Sequence, residues 1–174
     1  MRKKLLKKIH FHSHLIKLIK KKKGKALDLA CGVGYYSRFL SNHDWSVDAV
    51  DSEKSYSFIQ RYRNIRFYIF DLEKNNFSKL RIKLVLKNYD LILISSYLYR
   101  PLFNFLPNII KKNGHIFLEN FMIKSGQGKL KNKEMMYKNF ELTRLNIKNA
   151  KIINFWQGVH KKNYYKQSAI FYKT

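Results

Sequence analysis

Lys25–Leu40, KALDLACGVGYYSRFL, is the stretch whose reading decides the fold. Ala26, Leu27, Leu29 and Ala30 make a short apolar run suited to a buried strand, broken by one carboxylate at Asp28. Gly32 and Gly34 then let the backbone turn sharply and approach a ligand with no Cβ in the way. Tyr35–Leu40 continue as a helix whose first N–H groups have no partner of their own and face whatever lies over the turn. Strand, glycine turn and helix together describe a site for a nucleotide-type cofactor.

Dinucleotide oxidoreductases use a similar turn, but their fingerprint places a third glycine where this chain has Ser37, and their first strand stays apolar up to the glycines. With Asp28, Gly32 and Gly34 the stretch instead resembles motif I of the class I S-adenosylmethionine-dependent methyltransferases. The resemblance implies that the acidic residue helps bind the methionine part of the cofactor and that the cofactor lies close to the glycine backbone. The other reading of these residues is an ordinary strand-to-helix turn with a stray Asp.

Trp45–Asp51, WSVDAVD, reads as a second strand that again ends in a carboxylate. A carboxylate accepts two hydrogen bonds without a proton of its own, which suits a vicinal diol. The resemblance gives Asp51 the two ribose hydroxyls, with Ser52 capping the next helix; alternatively Asp51 is itself that cap. Ser55–Arg63 reads as helix and Ile65–Phe70 as a third strand, followed by Asp71, Leu72 and Glu73. The chain has only 11 acidic residues, yet Asp28, Asp51 and Asp71 all fall at strand ends, which in a parallel sheet line one crevice. An acidic notch in a basic surface favours a ligand carrying a sulfonium and an ammonium group. In the family the pair matching Asp71 and Leu72 lies against the adenine.

Asn75–Lys87 is a polar, basic connector, and Tyr89–Ile94 is a continuous apolar strand for the centre of a covered sheet. Its tip, Ser95–Arg100, is expected to face the transferable methyl group, and Pro101 opens the next helix. Ser96–Leu102, SYLYRPL, resembles the N-Y-L-H-R-P-L segment of a bacterial subgroup of small methyltransferases related to the tellurite-resistance type, with Tyr99 in place of the His. Lys111–Phe121 reads as a helix end, a glycine turn and a fifth strand; Glu119 and Phe121 fit the subgroup's E-T-F. Glu119 either orients a substrate or binds a neighbouring Lys or backbone amide. Ser125–Leu142 resembles the subgroup's substrate-side loop, keeping Gly128, Lys129, Asn132, Glu141 and Leu142 but replacing two prolines by Leu130 and Lys133, which loosens it. Ala150–Trp156 and Tyr164–Tyr172 alternate as two strands joined by a turn at 160–163.

At 174 residues with 45% hydrophobic and 16% aromatic content, the chain suits one domain with a substantial core and leaves no room for a separate substrate domain. The single cysteine, Cys31, excludes an internal disulfide, and no run is long and apolar enough for a membrane span, so a cytoplasmic protein is expected. The formal charge of +25 fits either nucleic-acid binding or a diffuse solvated lysine surface from AT-rich drift, the second being favoured. Leu5, Ile9, His12, Ile16 and Ile19 recur at helical spacing between lysines; a helix packed on the sheet edge is preferred over a membrane-surface or RNA-binding one. His10, His12 and His14 alternate with no nearby Cys or acid to complete a metal site.

These readings define one methyltransferase domain, with 1–23 a helical cap and 24–174 the core. The fold expected is a three-layer αβα doubly wound, Rossmann-like sheet, order 3-2-1-4-5-7-6 with an antiparallel last strand. The resemblance implies S-adenosyl-L-methionine bound by Asp28, Ala30, Gly32, Gly34, Asp51, Ser52, Asp71, Leu72 and Ser95, and no metal. Tyr97, Tyr99, Arg100 and Glu119 are the candidates near the methyl group. The acceptor is expected to be a small molecule. An RNA or ribosomal-protein methyltransferase and a catalytically inactive cofactor-binding relic stay open, as do the acceptor's identity and the oligomeric state.

Overall fold

The computed structural model describes residues 13–74, 79, 88–123, 133–160 and 164–174. Its sheet has seven strands: β1 Lys25–Leu29, β2 Ser46–Asp51, β3 Ile65–Ile69, β4 Tyr89–Ser95, β5 Ile110–Phe121, β6 Ala150–His160 and β7 Tyr164–Lys173. Their order is β3-β2-β1-β4-β5-β7-β6, as the sequence predicts. The first five run parallel, while β7 pairs antiparallel with β5 and β6 antiparallel with β7. Parallel strands covered on both faces read as continuous apolar runs, which is why Leu91–Ile94 are buried without interruption.

Alternate residues build two cores. Leu27, Leu29, Ile92, Ile94, Ile116 and Leu118 face one way, and Ala26, Leu91, Leu93, Phe117 and Ile170 the other. The second face is covered by α1 (Ser13–Lys21), α2 (Tyr35–Ser41) and the 3-10 helix Lys54–Arg61 through Leu15, Ile19, Tyr36, Phe39, Leu40 and Ile59. Among the described residues the first face is covered by the 3-10 helices Arg100–Asn104 and Leu106–Asn108 together with Tyr137, Leu142 and Ile147. The Trp45 indole N–H donates to the Ile19 carbonyl at 3.1 Å, tying α1 to the sheet.

Four local expectations change. The apolar stripe of α1 is Leu15 and Ile19, with Ile16 only half-buried; the Leu5, Ile9 and His12 part of that pattern, with His10, lies outside the described residues. Ser55–Arg63 forms a 3-10 rather than an α-helix and buries one side chain, Ile59. Lys111–Gly114 is no helix end: β5 already pairs with β4 at Ile110, and the register jumps from Tyr89 opposite Ile110 to Leu91 opposite His115. Asn113 takes up the surplus chain at φ 63, a left-handed value that asparagine tolerates. The terminal hairpin is longer than expected, reaching His160. The connector at 75–78 and 80–87, the loop residues Gly128, Lys129, Leu130 and Asn132, and the turn at 161–163 lie outside the described residues.

Candidate functional site

Where β1 ends, the backbone winds through three left-handed residues, Ala30 at φ 52, Gly32 at φ 52 and Gly34 at φ 70. For Ala30 this conformation costs about 1–2 kcal/mol, stored at the tip of the first strand. A Cβ on Gly34 would stand 2.8 Å from Cγ2 of Ile59, so that glycine is required by packing. A Cβ on Gly32 would meet nothing within 4 Å. Among the described residues, the space beside Gly32 is open.

Asp51 holds this turn from β2. Its Oδ2 accepts the Gly32 N–H at 2.8 Å and its Oδ1 the Glu53 N–H at 3.0 Å. Each oxygen keeps a second lone pair for an outside donor. Ser52 is exposed and does not cap the following helix; Glu53 does, its side chain accepting the Ser55 N–H, so Asp51 is not that cap either.

Asp28 is turned inward, 3% exposed, and Ser37 donates both its N–H (3.0 Å) and its hydroxyl (2.6 Å) to Oδ2. The serine at the missing third glycine is thus the carboxylate's partner. Burial, only partly offset by these two bonds and reinforced by the charge of Asp51, pushes the Asp28 carboxyl up to about 7. The same burial and the charges of Asp28 and Asp51 push the Cys31 thiol up, so it stays protonated.

Asp28 and Asp51 form one electrostatic group around the turn. Asp71 and Glu73 form another with Tyr97. The Asp71 Oδ1 accepts the N–H groups of Lys74 (3.1 Å) and Glu73 (2.9 Å), which hold its carboxyl below the usual range. Leu72 is turned into the core, and the Tyr97 hydroxyl donates to Glu73 at 3.2 Å, joining the ends of β3 and β4.

Beyond β4 the chain turns through Ser96 at φ 59. The Ser95 hydroxyl donates to Glu119 Oε1 at 3.1 Å, and the same oxygen receives the Lys166 ammonium at 2.9 Å, both members of that ion pair being buried. Tyr36 lies close enough to feel Glu119, and burial followed by that charge raises its hydroxyl well above its ordinary value. Sequence reading missed Lys166 and Tyr36. Alternation in YYKQSAIFYK puts Lys166 on the face of Ser168 and Ile170, but both faces of this strand are buried from Lys166 to Phe171, so the pattern did not single it out.

Arg100 is drawn away from this network. It forks onto Glu141 at 2.8 and 3.0 Å and donates to the carbonyls of Glu134 (3.0 Å) and Met136 (3.3 Å), clamping the segment after β5. Tyr99 is half-buried at the start of the 3-10 helix and packs on the core. Beside the clamp a cavity of about 720 Å³ is lined by Arg100, Ile123, Glu134, Met136, Lys138 and Glu141.

The family model described as "Tellurite resistance protein TehB" matches residues 2–117. Among solved structures, TehB from Haemophilus influenzae superposes with a TM-score of 0.71 at 17% identity over 94% of this chain, which spans 63% of that protein's length. The N-methyltransferase NodS from Bradyrhizobium japonicum WM9 gives 0.69 at 14% identity, covering 93% of both chains. Magnesium protoporphyrin IX methyltransferase from Synechocystis PCC 6803, solved with bound SAH, gives 0.64 at 15% identity over 93% of this chain and 79% of its own. No curated protein matches the sequence.

Proposed function

The chain belongs to the TehB family of tellurite resistance proteins, and on that premise we propose that it is a cytoplasmic methyltransferase that moves a methyl group from S-adenosylmethionine to a small-molecule acceptor. The single observation that carries this reading is the cradle over Gly32, where an added Cβ would meet no described residue within 4 Å and bare backbone lies between two acidic strand tips. That space fits a ligand whose hydroxyls meet Asp51 and whose positive charge is drawn toward Asp28, buried behind the turn.

In this reading Ala30, Gly32 and Gly34 bring the backbone against the cofactor and Asp51 takes the ribose hydroxyls on its remaining lone pairs, with Ser52 outside it. Asp71 borders the base, Leu72 reaching it through its backbone alone because its side chain is in the core, and Ser95 borders the methionyl end. The cofactor, when bound, supplies a methyl group on a positive sulfur, so the protein's work is chiefly to orient the acceptor. Glu119, fixed by Ser95 and Lys166, is the carboxylate placed to hold an acceptor's polar hydrogen. Tyr97 and Tyr99 wall the same end. Arg100 acts through Glu141 by shaping the cavity, whose volume is that of a small-molecule site. An RNA acceptor would bring phosphates to the end of the molecule where the carboxylates gather, which disfavours that rival.

Calorimetry with S-adenosylmethionine tests the reading, because an inactive scaffold without a cofactor site gives no heat and no thermal shift. Replacing Asp51 by Ala should weaken binding by about 1.5–3 kcal/mol through lost charge-assisted bonds. Unchanged affinity removes the ribose assignment. Incubation with methyl-labelled cofactor and fractionated cell extract then identifies the acceptor by where label appears.

A further inference from the structure

Among the described residues the balance of charge is not even along the strands. Asp44 and Asp90 are the only acids at the end of the sheet where the parallel strands begin; all others, the mid-sheet Asp48 apart, lie at or beyond the strands' C-terminal ends. Asp44 and Asp90 are each taken by one lysine, Lys23 at 3.0 Å and Lys111 at 2.9 Å. At the same end α1 runs out through Lys20, Lys21 and Lys22, β5 enters past Lys112 and β6 is preceded by Lys148; all five are exposed and have no ion-pair partner among the described residues. The lysine field reaches the sheet, since Lys22 adds to burial in holding His115 down to about 4.

This pole also has a hollow. A cavity of about 530 Å³ is lined by Phe103, Asn104, Pro107, Asn108, Asn146, Lys148 and Asn149. No described residue bonds the four asparagine side-chain amides. Each amide both donates and accepts, as the edge of an unstacked base requires, and Phe103 and Pro107 supply an apolar wall. Among the described residues, none of the exposed large hydrophobic side chains sits among these lysines, which favours a polyanion over a bilayer as the partner.

We propose that this pole, opposite the glycine turn, is a docking surface for single-stranded nucleic acid, with the lysines on phosphates and one base in the asparagine-lined hollow. The nucleic acid is then a tether and not the methyl acceptor, because its contacts lie at the other end of the sheet from Gly32.

Fluorescence anisotropy with short labelled oligoribonucleotides tests this. The full-length chain should bind at about 50 mM salt and lose affinity steeply as salt rises. The double variants K20E/K21E and K112E/K148E should each weaken binding about tenfold for every base sequence and flatten the salt slope. Asn104→Ala with Asn108→Ala should leave the slope intact and erase any preference among bases. Cofactor calorimetry on the same variants should match the parent and none should melt below it, which separates this result from the fate of the methyl-transfer reading. Absence of binding at low salt, parental affinity in both charge reversals, equal affinity for duplex, or phosphatidylglycerol vesicles that bind and are not displaced by the oligonucleotide would each overturn the proposal.

Discussion

The two glycines of the turn look equivalent in sequence but answer to different constraints. Both sit at positive φ, where an alanine costs about 1–2 kcal/mol. At Gly34 the added methyl also strikes Ile59, so Gly34→Ala should lose about 2–4 kcal/mol in urea unfolding. Gly32→Ala should lose only the conformational part and instead abolish cofactor heat, because its methyl fills the cradle; a variant that still binds tightly would show that the ligand lies elsewhere. Asp28 makes a pH prediction. Its folded value of about 7 stands above its unfolded 3.8, so the folded state keeps a proton that the unfolded state gives up, and stability falls as pH rises from about 4 to 7. His115 does the opposite: burial and Lys22 hold it at about 4 against 6.5, so stability is lost as pH falls through that window. The two slopes oppose each other in the parent. Asp28→Asn should therefore be worth progressively more, relative to the parent, from pH 4 to 7 and nothing further above; a difference that does not vary with pH would contradict the raised value. Asp28 was legible as a carboxylate out of place, whereas its partner Ser37 was not, since an i to i+9 bond depends on how α2 lies across β1.

Strands were the readable elements, because a parallel strand covered on both faces has to be apolar along its length and Tyr89–Ile94 has no other use. Helices were less so. Lys54–Arg61 shows helical spacing, yet it buries only Ile59 and takes its cap from Glu53, which leaves too little to sustain α geometry. The bulge at Lys111–Gly114 carries a glycine and an asparagine that also suit a helix end, so local chemistry could not separate the two. Arg100 and Glu141 were read as a site residue and a loop residue; they are one clamp, bringing 41 residues of separation to 2.8 Å. The pair is substantially exposed, so its loss should cost no more than about 1 kcal/mol globally. Its local effect is larger, because the fork also holds the carbonyls of Glu134 and Met136. In Arg100→Ala, hydrogen exchange should accelerate over 134–141 while β4 and β5 stay protected. Lysine at position 100 should not restore protection, since an ammonium cannot fork. Uniform acceleration across the sheet would mean that Arg100 supports the fold rather than this segment.

At the scale of the molecule, composition reports the charge and conceals its arrangement. A net +25 is the same number for scattered and for segregated lysines. Segregation follows from strand order and direction: five strands parallel, their acid-bearing ends together, and the joints at Lys20–Lys23, Lys111–Lys112 and Lys148 brought to the opposite pole. Like charges gathered within a Debye length of about 10 Å repel, and added salt relieves them. The folded state concentrates that repulsion more than the unfolded chain does, so raising sodium chloride from about 20 to 300 mM should raise the thermal midpoint by about 2–5 °C. The gain should shrink in K20E/K21E, where the pole is partly neutralised. It should persist when two lysines beside the acidic end, Lys74 and Lys138, are reversed instead. Equal shrinkage in both pairs of variants would mean that the charge acts as a uniform shell and that the polarity along the strands has no energetic consequence.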